Sequence, residues 1–202
     1  PLGEQSRWII DWLAANTTPD GRVLFETSRA RIHENSHMAG YFAVASDREF
    51  IGGPYAEMFF AGYTDGAAFG RKLQDMTPAE FSRMLAAYNV GWIVAHSAES
   101  RRFLANVPQV QAVESGHGIQ TYKVHQPLSF FLAGPGQVQT RAVNRLVLTG
   151  LQGNEVVLKY HYVRGLVADP AADVQPYRVQ GIPQPFTRIT SITGDRIELS
   201  IK

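Results

Sequence analysis

The chain has 202 residues, 45% of them apolar and 18% charged, and its 19 Lys and Arg stand against 18 Asp and Glu for a net charge of +1. This is the composition of a globular chain long enough to bury a sizeable core, not of a disordered one. So even a balance gives no whole-chain electrostatic basis for nucleic-acid binding, and the lack of cysteine excludes disulfides, thiolate metal sites and a cysteine nucleophile.

No window reaches the roughly 18 uninterrupted apolar residues that a membrane span needs, and no signal peptide opens the chain. Pro1-Leu2-Gly3 reads as a cloning remnant. The chain is therefore expected to be an excised piece of a longer protein, from which any membrane segment has been removed.

In chain order, Gln5 to Ala15 predicts a helix with Trp8, Ile9, Trp12 and Leu13 on one face, ending before a Pro19-Asp20-Gly21 turn. Arg22 to Thr27 reads as a short buried strand. Ser28 to Gly70 is rich in glycine and aromatic residues and has no clear period. Thr77-Pro78-Ala79-Glu80 is a helix start with a capping box, and the helix continues through Phe81, Met84, Leu85 and Tyr88. Val90 to Ala95 follows as a core strand, then a shorter helix over Ala98 to Ala105. Val110–Glu114 and Ile119–Val124, split by Gly116-His117-Gly118, predict a hairpin.

After His125-Gln126-Pro127 the helical signals stop. Strand-like runs then alternate with turns: Phe130–Ala133, Val138–Leu148, Glu155–Val163, Tyr177–Val179, Phe186–Ile192 and Arg196–Ile201. Pro170, Pro176, Pro183 and Pro185 forbid long helices there. The expected fold is α+β: a compact α/β sandwich over residues 1–126, followed by a small antiparallel β-sandwich over 127–202.

The stretch His33-Glu34-Asn35-Ser36-His37 fits the H-E-x-x-H spacing that brings two imidazoles to one zinc ion on a helix, with the glutamate polarising a bound water. In the longer form of that signature Gly40 falls in place, but the last position is Ala43, so a third imidazole is absent. Glu57 could substitute only from a new helix, because Gly52-Gly53-Pro54 intervenes. Arg29, Arg31, Asn35 and Ser36 make the stretch polar and weaken a helix. The match reads as a coincidence, and no metal or cofactor is expected.

Ser36, Ser46 and Ser97 lack a nucleophile-elbow setting. His96-Ser97 follows a core strand, where α/β sites gather, although a lone histidine there is more often structural. The aromatic residues between Tyr41 and Phe69 are interleaved with Asp47, Glu49 and Asp65. Rings and carboxylates are the groups that sugar recognition uses, and most such rings are core. Glu26, Asp47 and Glu49 could in principle pair for glycoside hydrolysis.

Gly21-Arg-Val-Leu-Phe-Glu26, Arg48-Glu-Phe-Ile-Gly-Gly-Pro-Tyr55 and Tyr88-Asn-Val-Gly-Trp-Ile-Val94, with Val156-Val-Leu-Lys-Tyr-His-Tyr162 and Arg164-Gly165 beyond them, carry a resemblance. Together they resemble the soluble extracytoplasmic C-terminal region of polytopic bacterial membrane proteins of the glycosyltransferase-C type. Some of these are described as 6-pyruvoyl-tetrahydropterin synthase-related membrane proteins. In such proteins the catalytic acids sit largely in the membrane-embedded half. The resemblance thus implies a non-catalytic, membrane-tethered, extracytoplasmic part that helps shape a sugar or lipid-linked sugar site. Its partners would be the remainder of the same polypeptide and a glycan, with no nucleic acid.

From their polar, glycine-bounded setting, His33, His37, Glu49 and Tyr55 are the residues expected to face a ligand. Two alternatives stay open: a zinc hydrolase with His33 and His37 as ligands and Glu34 as base, and a carbohydrate-binding protein whose β-rich end is the binding module.

Overall fold

A computed structural model describes residues 2–28, 38–51 and 62–201. The chain divides into two compact units, Pro1–Leu128 and Ser129–Lys202.

The first unit holds α1 (Glu4–Asn16), β1 (Arg22–Phe25), α2 (Met38–Ser46), β2 (Phe50–Ile51), β3 (Tyr63–Thr64), β4 (Ala67–Ala68), β5 (Arg71–Lys72), α3 (Pro78–Ala87), β6 (Val90–Ala95), α4 (Ala98–Leu104), β7 (Val110–Gly116) and β8 (Ile119–Val124). Its main sheet has the order β2-β1-β6-β8-β7. β1 runs parallel to both β2 and β6, while β8 is antiparallel to β6 and to β7.

Every residue of β1 and β6 is buried, as expected of parallel strands covered on both faces. Val23, Phe25, Trp92 and Val94 point to one face, where they pack with Ile9, Trp12 and Leu13 of α1 and Ala39 and Phe42 of α2. Leu24, Ile93 and Ala95, one step out of phase along the strands, are equally buried on the other face. There α3 meets β6, and Phe81 of α3 sits edge-on to Phe103 of α4 at 5.2 Å.

The two helix starts expected at Thr77 and Ala98 are formed. Thr77 Oγ1 accepts from the Glu80 amide at 3.2 Å, and the Thr77 amide donates to Glu80 Oε2 at 2.8 Å, with Pro78 in the first turn. In α4, the Ser97 hydroxyl accepts from the Ser100 amide at 3.1 Å.

The ambiguous middle of the sequence contains α2 and the two-residue strands. α2 is apolar on all sides, so it shows no helical period in the sequence. Ala39, Phe42 and Ser46 face inward while Tyr41 and Val44 are exposed. Asp47, at φ 54°, ends the helix, and Arg48 turns back onto α1. Its Nε donates to Thr17 Oγ1 at 2.9 Å and its Nη2 to the Thr17 carbonyl at 3.0 Å. β3, β4 and β5 form a small antiparallel meander. Its two turns, Asp65-Gly66 and Phe69-Gly70, have positive φ at both residues, the conformation of two-residue hairpins. Phe69 is held in that conformation by burial between Tyr88, on which it stacks at 5.2 Å, and Phe81 at 5.8 Å.

The second unit is the expected antiparallel sandwich. One sheet has the order β10-β11-β16-β13, and the other β14-β15-β12-β9. The strands are β9 (Phe131–Ala133), β10 (Gln137–Ala142), β11 (Arg145–Thr149), β12 (Glu155–His161), β13 (Leu166–Asp169), β14 (Asp173–Tyr177), β15 (Phe186–Thr190) and β16 (Ile197–Ile201). Leu148, Ile197 and Leu199 from the first sheet share a core with Phe131, Val156, Leu158 and Ile189 from the second.

Three local readings are corrected here. The run Val138–Leu148 is a hairpin, β10 and β11, because Val143-Asn144 turns the chain without the glycine or proline that would mark a turn in sequence. β13 was not expected beside Pro170. The run expected at Tyr177–Val179 is instead β14, ending at Tyr177, with Pro176 opposite Thr187. β14 is an edge strand, the place where a residue without an N–H is tolerated.

Phe25 is fully buried, stacks on Phe50 at 5.4 Å and tilts against Phe42 at 5.6 Å. Phe25→Ala is therefore expected to lower the unfolding free energy by about 3–5 kcal/mol, read as a fall in the urea midpoint. The Thr77 amide, then the Thr77 hydroxyl, then Arg71 bring the Glu80 carboxyl down to about 2. Because that value is depressed, the stabilisation from the cap is present above the ordinary glutamate range. It is lost as the pH falls from about 4.3 toward 2. Carboxyl-carbon NMR should give Glu80 a midpoint near 2, and an ordinary midpoint would mean that the box is not formed in solution.

Candidate functional site

Glu26 follows directly on β1 and is completely buried. A buried carboxylate persists only with hydrogen-bond donors around it, and several chain segments supply them. Oε1 accepts from the Gly66 amide at 3.0 Å, from Ser97 Oγ at 2.7 Å and from Ser100 Oγ at 2.6 Å. Oε2 accepts from the His96 amide at 2.7 Å and the Ser97 amide at 3.0 Å. One side chain thus joins the end of β1 to the β3–β4 turn, to the end of β6 and to the first turn of α4.

The next residue extends the same junction. The Thr27 amide donates to the Tyr63 carbonyl at 2.8 Å, and the Thr27 and Thr64 hydroxyls meet at 2.7 Å. The Asp65 amide donates to the Thr27 carbonyl at 3.3 Å. The small meander is therefore stitched to the carboxyl end of β1. Gly66 at the turn has φ +78°, and a Cβ there would lie 2.6 Å from Glu99 Oε2.

His96, which follows β6, lays its imidazole over this junction. Its Nε2 lies 3.3 Å from the Thr27 carbonyl oxygen, 3.7 Å from Asp65 Oδ1 and 3.9 Å from Glu26 Oε2. The histidine side chain is 12% exposed and that of Asp65 42%. Beneath them the Tyr63 hydroxyl is buried, and burial, followed by the charge of Glu26, pushes its pKa well above the ordinary value. Burial likewise raises Tyr122 to about 12. Both phenols stay protonated near neutrality.

The topology marks the same place. From β1 the chain moves to β2 on one side of the sheet order, whereas from β6 it moves on to β8 and β7 on the other side. The carboxyl ends of β1 and β6 flank the point where the connections diverge, which in open α/β sheets is where ligands bind.

Of the residues expected to face a ligand, His33, His37 and Tyr55 lie outside the described residues, as do Glu34 and Glu57. Glu49 is described. It precedes β2 and its Oε2 receives the Arg22 Nε at 2.8 Å, while Arg22 Nη1 donates to the Tyr88 carbonyl at 3.0 Å. That pair stands at the amino edge of the sheet, the edge opposite Glu26 and His96. Four residues of strand separate Arg22 from Glu26, roughly 13 Å. Glu26 and Glu49 are too far apart for the paired-carboxylate chemistry of a glycosidase, and Asp47 is exposed on the same amino side.

His96 and Ser97 were legible as residues after a core strand. Asp65 and Gly66 carried the D-G turn signal, but nothing in the sequence linked that turn to β1. Among the described residues, no group of three or more His, Asp or Glu is arranged to hold a metal ion.

Glu26→Gln would turn an amide toward donors that now meet an oxygen. The loss is expected to be at least about 3 kcal/mol in denaturant unfolding, whereas Glu49→Gln, partly exposed at the other edge, should cost clearly less. An unchanged midpoint for Glu26→Gln would remove Glu26 as the anchor.

Compared with known proteins, the chain matches no family model, no curated protein and no solved structure.

Proposed function

We propose that this chain is a non-catalytic extracytoplasmic part of an integral membrane glycosyltransferase-like protein, and that it helps shape the site for a sugar or lipid-linked sugar. The observation that supports this reading best is the use made of Glu26. At the carboxyl edge of an α/β sheet, a carboxylate is well placed for acid–base work. Here both of its oxygens accept hydrogen bonds from the chain's own amides and hydroxyls. It serves as a structural tie, and the polar rim above it is a surface for contact.

The sequence resemblance supplies the membrane setting. No helix among the described residues is long and apolar enough to cross a membrane, so the reading assigns the anchor to the rest of a longer polypeptide.

The test is made on the native gene product. Its intact mass should far exceed 22.4 kDa, and it should remain with the membrane fraction after a high-salt wash. A product of the size of this chain that stays in the soluble fraction would overturn the reading.

A further inference from the structure

We propose that one end of the β-sandwich docks on the surface of a bilayer that carries anionic lipid headgroups. This deepens the reading above and rests on it for a membrane within reach. Residues 129–201 of this unit are all described, and strand register shows which loops share the end. In one sheet the turn at Val143-Asn144 leads into Arg145, opposite Ser200, and the next residue, Ile201, lies opposite Leu166 at the start of β13. In the other sheet, His161 and Tyr177 both lie opposite Phe186 at the start of β15. The loop from Tyr162 to Gly165 joins the two sheets there, its Tyr162 amide donating to the Pro185 carbonyl at 2.9 Å.

That end exposes apolar side chains. Val143 is 99% exposed, and Val163, Tyr177 and Ile201 are exposed as well. Scattered singly, such residues need no explanation, but these four share one end and have arginines among them.

Charge selects the occupant. Arg164 and Arg178 are exposed at this end, and no described residue forms an ion pair with either. Arg145 is matched by Glu198 at 2.7 Å. Arg141, Lys159 and His161, also toward this end, are bases, and Lys202 follows Ile201 in the sequence. The other acids of the unit lie elsewhere. Glu155 and Asp173 both face Thr190 at the opposite end, where the Asp195 carbonyl accepts from the Leu151 amide, and Asp169 faces Glu198 deeper along the strands. A second copy docked end to end would set arginine against arginine, whereas lipid phosphates meet these arginines with opposite charge. The valine and tyrosine side chains then enter the boundary between headgroups and acyl chains.

Flotation of the full chain with vesicles tests this, using phosphatidylcholine alone and phosphatidylcholine mixed with an equal part of phosphatidylglycerol. Binding is expected only with phosphatidylglycerol present, and it should fall as salt is raised. Arg164→Ala and Arg178→Ala should each weaken it about fivefold. Val143→Ser should weaken it about tenfold, with an unchanged melting temperature because the side chain is exposed.

No binding to either vesicle, equal binding to both, or undiminished binding by Val143→Ser and by the Arg164→Ala, Arg178→Ala double variant would overturn the proposal. Self-association in place of vesicle binding, lost in Val143→Ser, would overturn it in favour of a second copy. Absent vesicle binding with a membrane-associated parent would strike this surface alone. Vesicle binding with a soluble parent of this size would strike the wider reading alone.

Discussion

The first unit depends on one buried carboxylate. Glu26 stands where the continuous apolar run of β1 ends, at a depth where an uncompensated polar group is costly. Compensation comes from three directions in the sequence, near residues 66, 96 and 100, and each donor brings its element with it. The hydrophobic effect can press helices against a sheet without specifying their ends. Directional bonds to Glu26 specify those ends, so the β3–β4 turn and α4 meet β1 in one arrangement.

That tie divides the sheet's two edges by role. At the amino edge, Arg22 and Glu49 form an ion pair backed by the Tyr88 carbonyl, and their charges meet one another. At the carboxyl edge the carboxylate is satisfied by neutral donors and polar groups gather above it. The acid nearest the junction is thus engaged by donors of the chain itself.

Much of the fold was legible in the sequence, for identifiable reasons. The Thr77 box and the apolar runs of β1 and β6 signal through local rules, and both are formed. α2 was silent because a helix apolar on every side has no period to detect. The β10–β11 turn was silent because Val143-Asn144 contains neither glycine nor proline, and a lone asparagine inside a strand-like run is a weak signal. The site was harder to read than the fold. Glu26, Asp65 and His96 are separated by up to 70 residues, and nothing local marks Glu26 as the acceptor for the other two segments. Glu49 was singled out for its polar, glycine-bounded setting, and its place just before β2, where it meets Arg22, could not be read from sequence.

The most direct measurement is native-state hydrogen exchange at the amides of Gly66, His96 and Ser97. If Glu26 is the tie that holds this edge, all three should exchange as slowly as the core amides of Trp92 and Ile93, through global unfolding. Gly66 exchanging rapidly, as an ordinary exposed turn does, while β6 stays protected would contradict the account, because the turn would then open without the sheet.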